Sequence, residues 1–402
     1  MQNKQTTPLW EGLCPSLLHG MERIGCFMII QGGAVYCADR VFRHMDVFIR
    51  DGRFAHQTPD KKTVNAHGCY VIPGLVDMHL HGCMGYDVCD GTYEAIAQIA
   101  AYEASAGVAA MALATMTLPV PTLNHILSVA AAYRQNPAQG ADLVGINMEG
   151  PFISESKKGA QNARHKLLCN TQIARGFCHT AGGLVKVIGL APEVNPAFAG
   201  CIQQMKDSVH ISLAHTDADY DTAMAAFTAG ADHVTHLYNA MPPFLHRQPG
   251  VIGAAADCPQ VSAELICDGI HVHPAAVRAA FRLFGAERLI FISDSMRAAG
   301  MPDGVYSLGG LDVQVAGRHA TLADSSALAG SVTHLLDCLR IAVLDMGIPL
   351  TDAVACAAIN PARVLGIAGE YGTIAAGKRA NALLLDQNLH LKAVIKDGMQ
   401  IK

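Results

Sequence analysis

Residues 71–82 read VIPGLVDMHLHG, an apolar run of strand length that ends with Asp77, His79 and His81 at every second position. Alternate side chains of a strand share one face, so the two imidazoles leave the strand's end on the same side. The same design recurs downstream in GVAAMALAT (107–115), LVGINMEGP (143–151), VKVIGLAPE (185–193), VHISLAHT (209–216), HVTHLYNA (233–240), AELICDGIHV (263–272) and LIFISDSM (289–296). Most of these runs are separated by an Ala- and Leu-rich stretch long enough for one helix. Strands alternating with helices make βα units and a parallel sheet. Eight of them fit a (β/α)8 TIM-like barrel better than a doubly wound sheet, and at 402 residues one barrel plus something smaller accounts for the chain.

The flanks have a different texture. MIIQGGAVY, from Met28, and MDVFIRDGRFA, with the hairpin signal Asp51-Gly52, are short β-rich runs split by turns. The C-terminal GTIAAGKRANALLLDQNLHLKAVIKDGMQIK repeats that pattern around Gly377 and Asp397-Gly398. The expected organisation is an N-terminal extension at 1–27, a small β unit built from 28–70 plus 363–402, and the barrel at 71–362.

Lys and Arg number 29 against 34 Asp and Glu, a formal charge of −5, which offers no basic footprint for nucleic acid and no acidic tail. The 13 cysteines are scattered singly, several inside apolar runs (Cys83, Cys178, Cys201, Cys267, Cys338, Cys356), without a C-x-x-C pair. They read as reduced core thiols and point to the cytoplasm. No apolar stretch reaches the length of a membrane span, and the first 27 residues lack the charged-then-apolar order of a signal peptide. The expected partner is a small molecule.

Polar residues gather at the ends of the runs. Glu149, Glu193, His215, His236, His271 and Asp294 lie at or just beyond the C-terminal end of their runs, and a barrel collects those ends on the face that carries its active site. Glu149 closes the apolar start of INMEGPFISESKKGAQ (146–161), where an unpaired carboxylate would cost several kcal/mol. A positive partner is therefore expected there. Taken singly, a strand-end histidine is more often a hydrogen-bonded structural residue, and Glu149 could be half of an ion pair. Together, His79, His81, His215, His236, Glu149 and Asp294 on one rim form a ligand set for a divalent metal, which imidazole and carboxylate suit. A metal with an open position activates water and polarises a carbonyl. Asp294 is placed to move the proton, with a purely structural ligand role as its alternative, so metal-assisted hydrolysis is the expected chemistry. Glu193 is expected to orient the rim or pair with a base, a catalytic role being its alternative. His210, His233, His273 and His334 fall off the strand-end positions and read as structural or supporting residues.

Over nearly all of residues 28–402, the stretches PGLVDMHLHG, MEGPFIS with KKGA, LAPE, AHTDADYDTAMAAFTAGADHVTHLYNAMPP, DGIHVHP, SDSMRAAGMPDGVYSLGG and LAGS resemble the amidohydrolase superfamily, in its branch of amino-sugar-phosphate deacetylases. The resemblance implies a barrel flanked by a β-sandwich made from both chain ends, and a homodimer. It implies hydrolysis of the acetamide of N-acetyl-D-glucosamine 6-phosphate to glucosamine 6-phosphate and acetate, in amino-sugar catabolism. N-acetylgalactosamine 6-phosphate is the alternative substrate, and a catalytically silent sugar-phosphate sensor is a third reading, which an intact Asp294 opposes. By the same resemblance Glu149, His215 and His236 are the primary metal ligands, His79 and His81 can hold a second ion, and Asp294 is the general acid/base. The metal would be zinc, with iron, manganese or cobalt as alternatives, at one or two ions per subunit. Asn239, Ala240, Arg247 and His271 would bind phosphate, shared across subunits, and Leu328, Ala329 and Gly330 would wall the sugar. Ala160 and Gln161 would meet the substrate, but here the chain departs from the pattern. The family usually has His where Gln161 stands, and a neutral amide cannot supply positive charge. SDSM in place of the commoner Thr-Asp-Ala keeps Asp294. Ring-opening members of the superfamily bridge two metals with a modified Lys on the fourth strand, a role that Lys186, early in its run, does not fit.

Overall fold

Each of the eight runs forms a strand. The computed structural model describes residues 27–59 and 62–402; of the extension expected at 1–27, all but Phe27 lies outside them. The strands β1 (Leu75–Leu80), β2 (Val108–Thr115), β3 (Asp142–Phe152), β4 (Val185–Leu190), β5 (His210–Leu213), β6 (His233–Val234), β7 (Ser262–Ile266) and β8 (Leu289–Ile292) follow one another in chain order through one sheet. Every pairing in it is parallel. β2 is buried along its whole length, as a parallel strand covered on both faces must be. The circle closes just beyond the strands proper, where the Asp294 N–H donates to the His79 carbonyl (3.0 Å) and the His81 N–H to the Ser295 carbonyl (2.8 Å). The fold is a (β/α)8 barrel.

A helix follows every strand, and local chemistry starts several of them. Thr92, Asn170 and Asp219 each accept backbone N–H bonds at the starts of Tyr93–Ser105, Thr171–Thr180 and Tyr220–Ala229. Proline stands in the first turn of Val120–Gln135 and of Pro274–Phe284, where its missing N–H costs nothing. Between β8 and its helix, Leu335–Leu344, the chain inserts a three-stranded antiparallel sheet: Gly304–Leu308, Leu311–Ala316 and His319–Leu322. No run above predicts this insertion. It packs Leu308, Val313, Val315 and Ala320 onto Met116, Met296 and Ala329, and so roofs one side of the barrel mouth.

The two chain ends share one eight-stranded sheet, ordered Met399–Gln400, Leu391–Lys396, Ala382–Leu385, Tyr70–Pro73, Phe27–Tyr36, Phe42–Arg50 and Arg53–Ala55, with Thr63–Asn65 beside Phe27–Tyr36. Arg53 bridges back to Arg379, just ahead of Ala382. The expected sandwich is thus a single sheet folded over on itself around Met28, Ile30, Ile49, Phe54, Val71 and Leu384. Asp51-Gly52 and Asp397-Gly398 have φ of 51° and 75°, and 49° and 80°, the paired positive values that let a two-residue hairpin follow the strand twist. Only Gly74 separates Tyr70–Pro73 from β1, so this sheet holds the first barrel strand by its start. The eleven cysteines of the described residues are all free thiols. Among the described residues no helix is long and apolar enough to cross a membrane.

Candidate active site and metal centre

The strand ends deliver two trios of ligand atoms into the barrel mouth. His79, His81 and Asp294 form one, Glu149, His215 and His236 the other, and within each the atoms lie within 4.8 Å of one another. All six residues are buried. His215, His236 and Asp294 have φ of 47°, 29° and 49°, a left-handed conformation that costs a non-glycine residue on the order of 1–3 kcal/mol. The strain turns the chain sharply at the ends of β5, β6 and β8 and aims each side chain inward. Asp294 is held from both sides, its N–H on His79 and its carbonyl accepting from Ser331 N–H at 2.7 Å.

Every imidazole of the cluster is fixed through its outer nitrogen. Nδ1 of His79 lies 2.8 Å from Glu264 Oε2, that of His81 2.9 Å from the Ala114 carbonyl, that of His215 2.9 Å from the Lys157 carbonyl and that of His236 3.1 Å from the Asn239 carbonyl. These partners only accept, so each Nδ1 carries the hydrogen and each Nε2 can offer a lone pair to the mouth. Glu149, of the second trio, also reaches the first. Its Oε1 is 2.9 Å from His236 Nε2, 3.1 Å from His215 Nε2 and 3.5 Å from His79 Nε2, while Oε2 is 3.3 Å from His81 Nε2. Asp294 Oδ1 is 3.3 Å from His81 Nε2 and 3.6 Å from His79 Nε2.

Burial works against charge on Glu149, yet the charge of His79 and hydrogen bonds from His215 and His236 hold it well below the ordinary carboxylate range. Asp294 is lowered too, burial again opposing, by the His81 ring 3.3 Å away and the charge of His79. Burial depresses His81, but the Asp294 and Glu149 carboxylates, each 3.3 Å from its Nε2, outweigh it and push it up to about 10. The negative charge that draws protons onto these rings is what a divalent cation balances, with its ligands deprotonated. His79 Nε2 and Asp294 Oδ1 are buried and have no hydrogen-bond partner. Orphaned donors and acceptors this deep are costly, and a cation would satisfy both, so the residues present fit a metal.

Two supports were not singled out from the sequence. Glu264, fully buried in β7, receives His79 Nδ1 at 2.8 Å, His233 Nε2 at 3.1 Å, the His236 N–H at 3.2 Å and Asn147 Nδ2 at 3.3 Å. His79 and His233 lower its pKa despite the burial that opposes them. Asp268 accepts from His271 Nδ1 at 2.8 Å. The expected supports appear as well: His233 on Glu264, and Glu193 accepting from Thr216 Oγ1 (2.5 Å) and Asp217 N–H (2.6 Å), which anchors the turn after His215. His210 bonds Asp232, His334 bonds Tyr102 and His273 caps its helix.

The remaining expected site residues sort by distance from the cluster. Gln161 is buried, its Nε2 donating to Glu149 Oε2 at 2.7 Å, and Ala160 is buried beside it. Leu328, Ala329 and Gly330 run along the inserted sheet, Ala329 N–H donating to the Ala320 carbonyl at 3.0 Å. A Cβ on Gly330 would lie 3.1 Å from the Asp294 carbonyl, and its φ is +60°, so glycine lets this loop approach Asp294. Asn239 and Ala240 follow His236 on a half-buried turn. Arg247 stands apart on an exposed loop, and its hydrogen bond is to the adjacent His246 at 2.6 Å. Lys186 lies at the opposite end of β4, lining a cavity of about 390 Å³ with Arg134, Asp142 and Arg379.

The amidohydrolase family matches residues 70–401, and the chain belongs to that family, whose members are metal-dependent. N-acetylglucosamine-6-phosphate deacetylase from Bacillus subtilis (strain 168) is 35% identical to it over 382 residues, covering 92% of this chain and 96% of that protein. N-acetylgalactosamine-6-phosphate deacetylase from Escherichia coli O157:H7 is 34% identical over 353 residues, 87% of this chain and 93% of that one. The structure of a variant N-acetyl-D-glucosamine-6-phosphate deacetylase from Mycobacterium smegmatis, in complex with N-acetyl-D-glucosamine 6-phosphate, is similar at a TM-score of 0.87 and 32% identity, covering 93% of this chain and 99% of that one.

Proposed function

We propose that this chain hydrolyses the acetamide of N-acetyl-D-glucosamine 6-phosphate to glucosamine 6-phosphate and acetate. The observation that carries the reading is the meeting of two trios of buried ligand atoms at Glu149, with Asp294 fixed at the rim. In this reading Glu149, His215 and His236 hold one divalent ion and His79, His81 and Asp294 a second, zinc being favoured by the imidazole-rich set and iron, manganese or cobalt being alternatives. When bound, such an ion lowers the pKa of water and polarises the acetyl carbonyl. Asp294 accepts the proton of the attacking water and returns it to the leaving nitrogen. Its backbone bonds to His79 and Ser331 keep the carboxylate aimed while it does so. The outer bonds of the four imidazoles exclude rotation of the rings during the reaction.

Asn239, Ala240, His271 and Arg247 bind the phosphate, and Leu328, Ala329 and Gly330 cover the sugar. Arg247 reaches a site from across a homodimer; the exposed Phe244 and Leu245 beside it, 48% and 46% accessible, support a contact there. The free thiols suit a reducing cytoplasmic setting. The strands shared by the two chain ends support a division into a barrel at 71–362 and a sheet unit from 28–70 plus 363–402. A second substrate, N-acetylgalactosamine 6-phosphate, is kept open by the relative that is 34% identical.

Acetate release from both epimers, before and after chelation, tests the reading. We expect turnover of the gluco epimer that chelator abolishes and added zinc or iron restores. Preference for the galacto epimer would move the substrate, and full activity of metal-free protein would overturn the chemistry.

A further inference from the structure

The neighbours of Gln161 dictate which way its amide points. The backbone N–H of Thr117 can only donate, so it fixes the amide oxygen, at 2.7 Å. Nε2 must then face Glu149 and donate to Oε2, also at 2.7 Å, with Met116 Sδ 3.6 Å away. The side chain is 1% exposed, and both ends of the amide are engaged. Thr117 is itself pressed onto the far side of Glu149's strand: a Cβ on Gly150 would stand 2.1 Å from Thr117 Oγ1. The end of β2, Gln161 and the end of β3 are therefore wedged together.

The wedge bears on the torsion of Glu149 that is otherwise softest. The terminal rotation of a glutamate side chain has broad, roughly two-fold preferences, so the split of its oxygens between two sites must be imposed from outside. The bond from Gln161 holds Oε2 on the side of His81, 3.3 Å away, and leaves Oε1 to His215 and His236.

We infer that Gln161 is a positioning residue that locks Glu149 as the shared ligand of two cation sites, and thereby sets how tightly the site at His79, His81 and Asp294 is held, without contacting the sugar. This rests on the reading of the cluster as a two-ion metal centre. An imidazole with one protonated and one free nitrogen offers a donor and an acceptor on opposite edges, so His can take over both bonds. A leucine can take over neither.

The experiment compares wild type, Gln161→Leu and Gln161→His by zinc content and chelator competition, thermal melting, and kcat and KM on N-acetyl-D-glucosamine 6-phosphate. The expected result is two ions per chain in wild type. Gln161→Leu should bind the second about tenfold or more weakly, the scale for losing a partner behind a ligand, with the first ion and KM unchanged, and Gln161→His should recover the second ion. Should Gln161→Leu fail to fold, Gln161→Met, similar in volume and without a donor, carries the same expectation. Two ions held as in wild type by the Leu or Met variant, a single ion in saturated wild type, or a rise in KM at unchanged metal content would each overturn the inference. The expected metal behaviour in a protein that turns over neither epimer would defeat the proposed substrate and leave this inference standing.

Discussion

Replacing Glu264 by Gln tests whether the metal centre is held from behind. The change keeps shape and removes charge from a fully buried group that receives four donors. Two of those bonds hold proposed ligands directly, through His79 Nδ1 at 2.8 Å and the His236 N–H at 3.2 Å. A hydrogen bond to a charged group contributes about 1.5–3 kcal/mol and a neutral one about 0.5–1.5, so each should lose about 1 kcal/mol. The sum of about 2 kcal/mol, at roughly 1.4 kcal/mol per tenfold, is about 30-fold in metal affinity, inside the range of about 10- to 100-fold for partners that orient ligands. The fold should survive, because the new amide N–H₂ can face His233 and Asn147. His233 Nδ1 and Asn147 Oδ1 have no partner, so one can change tautomer and the other can flip to accept. Leucine at 264 would instead strand all four donors. Zinc-loaded Glu264→Gln is titrated with a competing chelator, and circular dichroism checks that it is folded. A folded variant that binds zinc as tightly as wild type would refute the reasoning and leave Glu264 as a core ion pair only.

Asp294→Asn should keep substrate affinity and the ion proposed at Glu149, His215 and His236, weaken the one proposed at His79 and His81, and lower kcat by about 10² or more, the scale of a general acid/base contribution; near-normal kcat would move the proton transfer elsewhere. Arg247→Ala should raise KM for the phosphorylated sugar by about 10- to 100-fold, as expected for loss of a charge-assisted bond. It should barely affect an unphosphorylated N-acetyl sugar, and equal losses on both would make Arg247 structural. Far from the site, Asp397 is held at about 2 against the burial that raises it, by Arg379 and Lys396, with contacts of 2.6–2.8 Å. A lowered folded pKa means stability that is present above the unfolded value near 4 and lost as pH falls toward 2. Denaturant midpoints should therefore show wild type losing roughly 2 kcal/mol relative to Asp397→Asn across that interval, and parallel curves would contradict the assignment.

The barrel was legible because length and periodicity signals agree in all eight runs and the helices between them are capped locally. The inserted sheet was not. Its strands have four to six residues, and the alternation in LDVQVA, buried at Val313 and Val315 and open at Asp312 and Gln314, is short enough to pass for a loop after β8. The folding of the terminal sheet onto itself was hidden too, since the closing bridge joins Arg53 to Arg379 and no local pattern announces a partner so remote. Proposed ligands were readable for a physical reason. HVTHLYNA looks like one run of eight, yet the strand proper is His233–Val234, and the backbone turns left-handed at His236, Tyr238 and Ala240. The polar residue in such a run marks where strand becomes mouth.

Glu264 carries a signal of the same kind. Like Glu149 it is a carboxylate within an apolar run, and the cost of burying it alone demands donors or a cation. What separates the two is depth. Glu149 lies near the end of its run and opens onto the mouth. Glu264 is the second residue of AELICDGIHV and receives the outer nitrogen of His79, so it faces the back of a proposed ligand, and that partner is 185 residues away. Asp77 obeys the same rule on β1. Two residues before His79, it accepts from the His79 N–H at 3.2 Å and the Ser293 N–H at 3.4 Å, pinning the first strand to the last. In this barrel a buried carboxylate late in its apolar run faces the mouth and the proposed metal, while one early in its run is placed to hold the histidines proposed to bind it.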